Sequence, residues 1–512
     1  MTTDHGEPFD FFQFIYLQQT KSNLMFNSNP IRIAFGLLLS AILCLSATAQ
    51  VNVSDPISVT DGDDSFGKRS PKIAINANGE PMVFWMRTGN EAFYLSTKTT
   101  SGFSDPTQIS FGGLNPNLWG GSLGPNMASN GDDVYVTFEV YGDAIYVTHS
   151  PDAGQTWESP VAAFIPPQGR VATIPIIAVD SDGNPYVAYV NTNTSEGDAY
   201  YGMVRSADFG QNYFAEVDVS AESVGAEVCE CCNGHIEVAD NGDVFVAFRN
   251  NDNNLRDIWL ARSTDGGETF SSAFDVDETD WTAFICPSNG PNFEIIDNEV
   301  VTVFWSGAGA SGSGVYYSLF NNQSGVAAPT IDLNLSDISS SNQTRPRIAG
   351  VTDTLAIVWQ ESYNGSVDIA MSVSTSGISG LNTEAFRLGE LPSTQQFPSM
   401  LYSNGSFHVV YEDSESNTVM YQEVGFNTLG LNENTMIEFS MWPNPAKDEI
   451  EIRHFENDPL DVQIIDIQGR VVYQGEIGQS SNVIDLQLLT PGVYQVILSN
   501  EKTYSSQKLI VV

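Results

Sequence analysis

"PIIAVDSDGNPYVAYVN", residues 175–191, reads as one β-hairpin: an apolar run, a tight turn, and a second apolar run ending in aromatic residues. Asp182-Gly183 at the turn tolerates the positive φ angles that a short hairpin loop demands. Six further segments follow the same plan: "PKIAINANGEPMVFWMR", "PNMASNGDDVYVTFEV", "HIEVADNGDVFVAFRN", "PNFEIIDNEVVTVFWS", "PRIAGVTDTLAIVWQE" and "PSMLYSNGSFHVVYED". Asn78-Gly79, Asn130-Gly131, Asn241-Gly242 and Asn404-Gly405 occupy the turns of four of them. The copies begin roughly 50 to 60 residues apart, a period suited to four-stranded units that bury their faces only against one another. The chain therefore reads as all-β.

A third strand follows each hairpin, and three of these end in "SPDAGQTW" (150–157), "SADFGQNY" (206–213) and "STDGGETF" (263–270). The pattern Ser-x-Asp-x-Gly-x-Thr/Asn-aromatic resembles the Asp box, or BNR repeat, of the sialidase-like β-propellers. The resemblance implies that Asp152, Asp208 and Asp265 lock turns on the face away from an active site, while the aromatic packs between blades. Seven copies imply seven blades. Sialidases have six, so a six-bladed ring with one insertion is the alternative. The last copy supplies three strands, and "VSDPISVT" (53–60) echoes "FSDPTQIS" (103–110), the outer strand of the first blade. The N-terminal strand is thus expected to complete the last blade and remove an exposed edge.

Of 512 residues, 63 are acidic and 20 basic, for a formal charge of −43. That charge excludes nucleic acid and disfavours anionic membranes, both of which bind through lysine and arginine. It suits a solvated exported surface, with calcium as one cation it could hold. In "NPIRIAFGLLLSAILCLSATAQ", Arg32, the apolar run 33–45 and Ala47-Thr48-Ala49 form the layout of a secretory signal cleaved after Ala49, too short to span a bilayer comfortably. Met25 reads as the true start, with residues 1–24 an upstream extension, and no transmembrane segment is expected in the mature protein.

Residues 1–49 are accordingly assigned to extension and signal, 50–426 to the propeller, 427–436 to a linker and 437–512 to a small β-sandwich. The last contains "MWPNPAKDEIEI" (441–452), Gly469-Arg470-Val471-Val472, Pro491-Gly492-Val493-Tyr494 and Lys508-Leu509. These residues resemble the type A C-terminal sorting domain of the type IX secretion system, departing from it in Trp442, where tyrosine is commoner. The resemblance implies recognition by that secretion machinery and a secreted or cell-surface protein. An accessory carbohydrate-binding sandwich is the alternative.

"EVCECCNGHI" (227–236) crowds Cys229, Cys231 and Cys232 ahead of one inner strand, and Cys286 precedes the next. All four are expected at one mouth of the central channel. Export permits disulfides, with Cys286 taking one of the clustered thiols. The alternative is a copper or zinc site in which His235 joins the thiolates. Arg69, Arg87, Arg170, Arg249 and Arg345 are placed on the same rim, as are Glu139, Glu361, Glu412 and Asp413. The arginines would hold a carboxylate or sulfate, or neutralise their acidic neighbours.

Sialidase chemistry requires an arginine triad, a Tyr-Glu pair and an acid. "KRSP" (68–71) resembles that family's Arg-Ile-Pro but carries Ser70, and neither the pair nor the acid is identifiable. The sequence thus favours an exported propeller that binds a glycan or another extracellular ligand. The rivals are a sialidase-like hydrolase or a lyase acting on acidic polysaccharide through Glu361, Glu412 or Asp413, and a metal-binding propeller built on the cysteines.

Overall fold

A computed structural model describes residues 50–512, apart from 61–66, 89–91, 118–122, 226, 310–311, 334–340, 364, 382–384, 389–392, 428–436, 438, 455–458, 467–469, 479–481 and 501–503. The signal, the start codon and nearly all of the linker lie outside the described residues. Among those described there is no α-helix, and no helix long and apolar enough to cross a membrane.

The described residues form nine antiparallel sheets. Seven belong to residues 50–427, and their first strands are Lys68–Ile75, Asn126–Asn130, Arg170–Val179, His235–Val238, Asn292–Ile296, Asn342–Val351 and Gln395–Ser403. Each first strand meets the next in chain order, and the seventh meets the first. The apolar clusters repeat that circuit. One lies between each successive pair of sheets, and another, with Trp85, Tyr94, Val410 and Tyr421, joins the seventh sheet to the first. Alternating side chains place one face of each strand in one cluster and the other face in its neighbour, which is why the second strands are buried on both sides and read as near-continuous apolar runs.

The circuit is fastened by the N-terminal segment. Gln50–Val53 pairs with the outer part of Thr418–Asn427, and Ile57–Ser58 continues along the same strand. This supplies the fourth strand that the last sequence copy lacks.

The three Ser-x-Asp-x-Gly loops are built alike. In the last, Ser263 Oγ donates to Asp265 Oδ1 at 2.6 Å and accepts the Gly267 N–H, while Thr269 donates to Asp265 through both its N–H and its hydroxyl. These donors hold the Asp265 carboxyl at about 2, below the usual range. The aromatic residues Trp157, Tyr213 and Phe270 each pack into the cluster shared with the preceding sheet.

A kink recurs in the first strands. Ser70, Ile174, Arg345 and Phe397 have φ between 53° and 56°, each directly before a proline and each inside a break in the strand register. Such a backbone costs of order 1–3 kcal/mol for a non-glycine residue unless its surroundings enforce it. The preceding sheet does so. Glu412 accepts the Ser70 N–H at 2.7 Å, Glu139 accepts that of Ile174 at 2.7 Å, and Gln360 accepts that of Phe397 at 3.4 Å.

Residues 439–511 form a three-stranded and a four-stranded sheet that share one apolar cluster around Ile450, Ile452, Val462, Val496 and Leu498.

Deleting residues 50–58 bares the Thr418–Asn427 edge and opens the cluster around Tyr421. The expected result is a urea midpoint lower than that of the intact mature chain, with the loss concentrated in residues 395–427 by hydrogen exchange. An unchanged midpoint would show that this strand does not hold the circuit closed.

Candidate functional site

The position after the inner-strand proline, or its equivalent, reads Lys72, Asn126, Ile176, His235, Asn292, Arg347 and Ser399 around the seven sheets. Six of these are polar on strands otherwise rich in apolar residues, and the seventh, Ile176, is buried in the cluster between the third and fourth sheets. Those six line a cavity of about 280 Å³ enclosed by the first strands of six sheets, which Glu237 and Glu294 also reach.

The two sides of this cavity differ in charge. On one, Lys72 and Arg347 line the wall with Arg345 beside Arg347, and a single carboxylate, Glu412, acts on Arg69, Lys72 and Arg345. Glu412 is fully buried and pairs with Arg69 at 3.1 Å. Burial pushes its carboxyl up, against the Ser70 N–H and Arg69. Lys72 is pushed down to about 7 by burial and by Arg347, with Glu412 opposing. Arg347 is lowered to about 10 by burial and by Arg345. Arg345 lies 4.5 Å from the centre of the Phe397 ring, and its buried Nε has no hydrogen-bond partner. Four neighbouring basic groups with one acid among them leave a positive arc in a chain of charge −43.

On the opposite side, burial raises Glu237 to about 8. Burial and the neighbouring Glu237 carboxyl raise Glu294 well above the carboxylate range. His235 Nε2 lies 3.0 Å from Glu237 Oε1, and burial and Arg347 hold the imidazole down to about 3. At neutral pH this contact is therefore a hydrogen bond from the Glu237 carboxyl to an uncharged ring, not an ion pair. Sequence reasoning missed Lys72, Arg347, Glu237 and Glu294. Aligning the seven copies on their prolines and asking which column stays polar is the signal that finds them.

Of the rim arginines, Arg69 and Arg345 belong to the positive arc. Arg170 is held by Asn191, by the Asp198 side chain at 2.8 Å and by the Tyr200 ring. Arg87 is buried beside Tyr94. Arg249 is fully buried and donates to the main-chain oxygens of Asn289, Arg256 and Trp305. The three acids named as catalytic candidates are buried too. Glu361 lies 3.6 Å from Arg387, Asp413 accepts from Ser393 and from the Ser416 N–H, and Glu412 accepts the Ser70 N–H and pairs with Arg69.

The cysteines meet at the entry to the fourth and fifth sheets. Cys231 and Cys286 form a disulfide, and Cys229 and Cys232 are buried thiols. The sulfurs of Cys229, Cys231 and Cys232 lie within 4.8 Å of one another, a group that does not include His235, whose ring packs on Phe293. Asn233 Oδ1 accepts the Gly290 N–H at 3.3 Å. A Cβ at Gly290 would lie 1.5 Å from the Asn233 oxygen, so only glycine lets the two entry turns touch. For the metal reading, two free thiols and a third sulfur already in a disulfide fit a soft two-coordinate ion such as copper(I) better than the four-ligand shell of structural zinc.

Residues 440–512 match the secretion system C-terminal sorting domain. The protein is accordingly exported by type IX secretion, to the cell surface or beyond. No curated protein sequence matches the chain. Among solved structures, a protein of unknown function from Dyadobacter fermentans is similar at 16% identity and a TM-score of 0.43, over 64% of this chain and 99% of its own. The polysaccharide lyase Uly1 is similar at 11% and 0.46, over 70% and 90%. A Trypanosoma rangeli sialidase is similar at 10% and 0.42, over 90% and 89%. Scores of this size assign no chemistry to the cavity.

The half-buried Glu237 carboxyl gives a signed pH dependence. Between its unfolded value of 4.5 and about 8 the folded chain keeps a proton that the unfolded chain releases. Its stabilisation is thus complete below pH 4.5 and lost as pH rises through 8. Lys72 runs the other way, gaining stability between about 7 and 10.5, and is common to both proteins compared. Glu237→Gln should therefore raise the Tm relative to the native chain at pH 8.5, with the gap shrinking at pH 5. A pH-independent gap would place the carboxyl in water.

Proposed function

We propose that the seven sheets form a seven-bladed β-propeller whose central channel, entered from the cysteine-bearing mouth, binds an anionic extracellular glycan through carboxylate or sulfate groups. The observation that carries this reading is the positive arc of Arg69, Lys72, Arg345 and Arg347, which has one buried carboxylate to balance it. Desolvated guanidinium groups bind planar or tetrahedral anions through paired, charge-assisted hydrogen bonds. The surrounding acidic surface repels anions, so the arc confines binding to one place. The three loops resembling Asp boxes and the closed circuit of apolar clusters support the propeller. The two C-terminal sheets around a shared core support a sandwich that serves as the export signal.

A second reading is an enzyme acting on acidic polysaccharide. What favours it is Glu237, which still carries a proton at neutral pH, as a general acid must. In this reading the acid comes from the channel and not from Glu361, Glu412 or Asp413, each of which already holds its own neighbours.

Calorimetry with sulfated and uronic oligosaccharides should show binding that weakens from 50 to 500 mM salt, while neutral oligosaccharides give none. Arg345→Ala should weaken it about tenfold, or about 1.4 kcal/mol. Affinity should fall between pH 6 and 8 as Lys72 loses its proton, and Lys72→Met should flatten that profile. Equal affinity for neutral glycans would overturn the reading. Turnover of the same panel that vanishes in Glu237→Gln would establish the enzyme.

A further inference from the structure

Four sulfur atoms collect where the fourth and fifth sheets begin, outside the cavity just discussed. Cys231 is bonded to Cys286, and the Cys229 sulfur lies 3.6 Å from that of Cys231. Cys229 and Cys232 are thiols within one turn, closed by the Cys232 N–H to the Cys229 oxygen at 3.2 Å. Neither exposes any surface, and the two side chains hydrogen-bond to each other. A thiol held in contact with a disulfide has the arrangement from which exchange proceeds.

Two buried arginines adjoin the pair. The hydrogen bonds of Arg249 described above all go to neutral main-chain oxygens. Arg256 is 6% exposed, its buried Nε and Nη1 lack hydrogen-bond partners, and the nearest carboxylate, that of Glu230, is 3.9 Å away. Guanidinium groups so placed favour a thiolate beside them. The hydrogen bond to Cys232, together with burial, pushes the Cys229 thiol up. Burial would raise Cys232 as well. The Cys229 hydrogen bond, Arg249, the Asn289 N–H and Arg256 outweigh it and hold that thiol below its ordinary range. Geometry holds the Cys229 sulfur against the disulfide, and the Cys232 sulfur, hydrogen-bonded to it, is the group within reach of its proton.

We propose that these four cysteines form a thiol–disulfide exchange site in which Cys229 is the attacking sulfur, Cys232 its base and Cys286 the leaving thiol. The Cys229 proton passes to the Cys232 sulfur, and the Cys229 sulfur bonds that of Cys231. The Cys231–Cys286 bond breaks, and its electron pair leaves on Cys286, which takes a proton from solvent. One disulfide is lost and one formed, so no oxidant or reductant is consumed. The product differs in placement. Cys286 is exposed, next to Ile285 at 63% and Phe284 at 83% exposure. Exchange thus converts a buried thiol into a surface nucleophile and releases the tie between the two sheets.

The test uses the full mature chain purified without reductant and incubated with N-ethylmaleimide at pH 8, followed by peptide mapping. In the native chain the label should accumulate on Cys286 and Cys232, together with a Cys229–Cys231 disulfide. In Cys229→Ser, labelling of Cys286 should slow at least tenfold. Arg256→Gln, which leaves every cysteine in place, should shift the pH dependence of Cys286 labelling upward, and it decides the matter alone if Cys229→Ser fails to fold. A Cys231–Cys286 bond that survives in the native chain, or equal labelling of Cys286 in Cys229→Ser, overturns the proposal. So does stoichiometric copper or zinc by elemental analysis, which would make the cluster a metal site.

Discussion

The hydrogen bond from a kinked first strand to the sheet before it is the contact on which the other features depend. Ser70, Ile174 and Phe397 hold left-handed backbone angles that non-glycine residues avoid, and Glu412, Glu139 and Gln360 make those angles tolerable by accepting their N–H groups. Each bond crosses from one sheet to the next, so the kink and the neighbour enforce each other. The kink also re-aims the strand, as a bulge does. Of the residues just after it, Lys72, Arg347 and Ser399 line the cavity, whereas Ile176 enters an apolar cluster.

That arrangement explains how so few basic residues achieve a local excess. Glu412 serves two tasks, as acceptor for Ser70 and as partner to Arg69, and neither leaves it free to neutralise Arg345, Arg347 and Lys72 together. Burial strengthens the interactions among these charges, and because it also lowers Lys72 to about 7, the arginines carry most of the excess above neutral pH. The carboxyls of Glu237 and Glu294 cannot compensate, since their own burial keeps them protonated near neutrality.

The cysteine corner follows a different logic. The entry turns of the fourth and fifth sheets are pressed together at Gly290 and Asn233, and the disulfide joins them a few residues earlier in each turn. Arg249 donates to three main-chain oxygens there, those of Asn289 and Arg256 in the connecting segments and that of Trp305 in a strand of the fifth sheet. Its charge is thereby brought close to the two remaining thiols.

The seven hairpin copies, the three Ser-x-Asp-x-Gly loops, the fastening N-terminal strand and the export tail were legible in the sequence, because periodicity, turn chemistry and local motifs are properties of neighbouring residues. The convergence of Cys231 and Cys286, which lie 55 residues apart, followed from the same repeat. What each mouth residue does was not legible. Glu412 reads equally as a catalytic acid or a latch, and Arg249 equally as a rim cation or a buried strut. The difference lies in whether a neighbouring sheet presents an N–H or a carbonyl at hydrogen-bond distance, which is decided between strands hundreds of residues apart. Only the tertiary structure sets that distance, and with it the burial that moves Lys72 and Glu237 away from their ordinary ionisation.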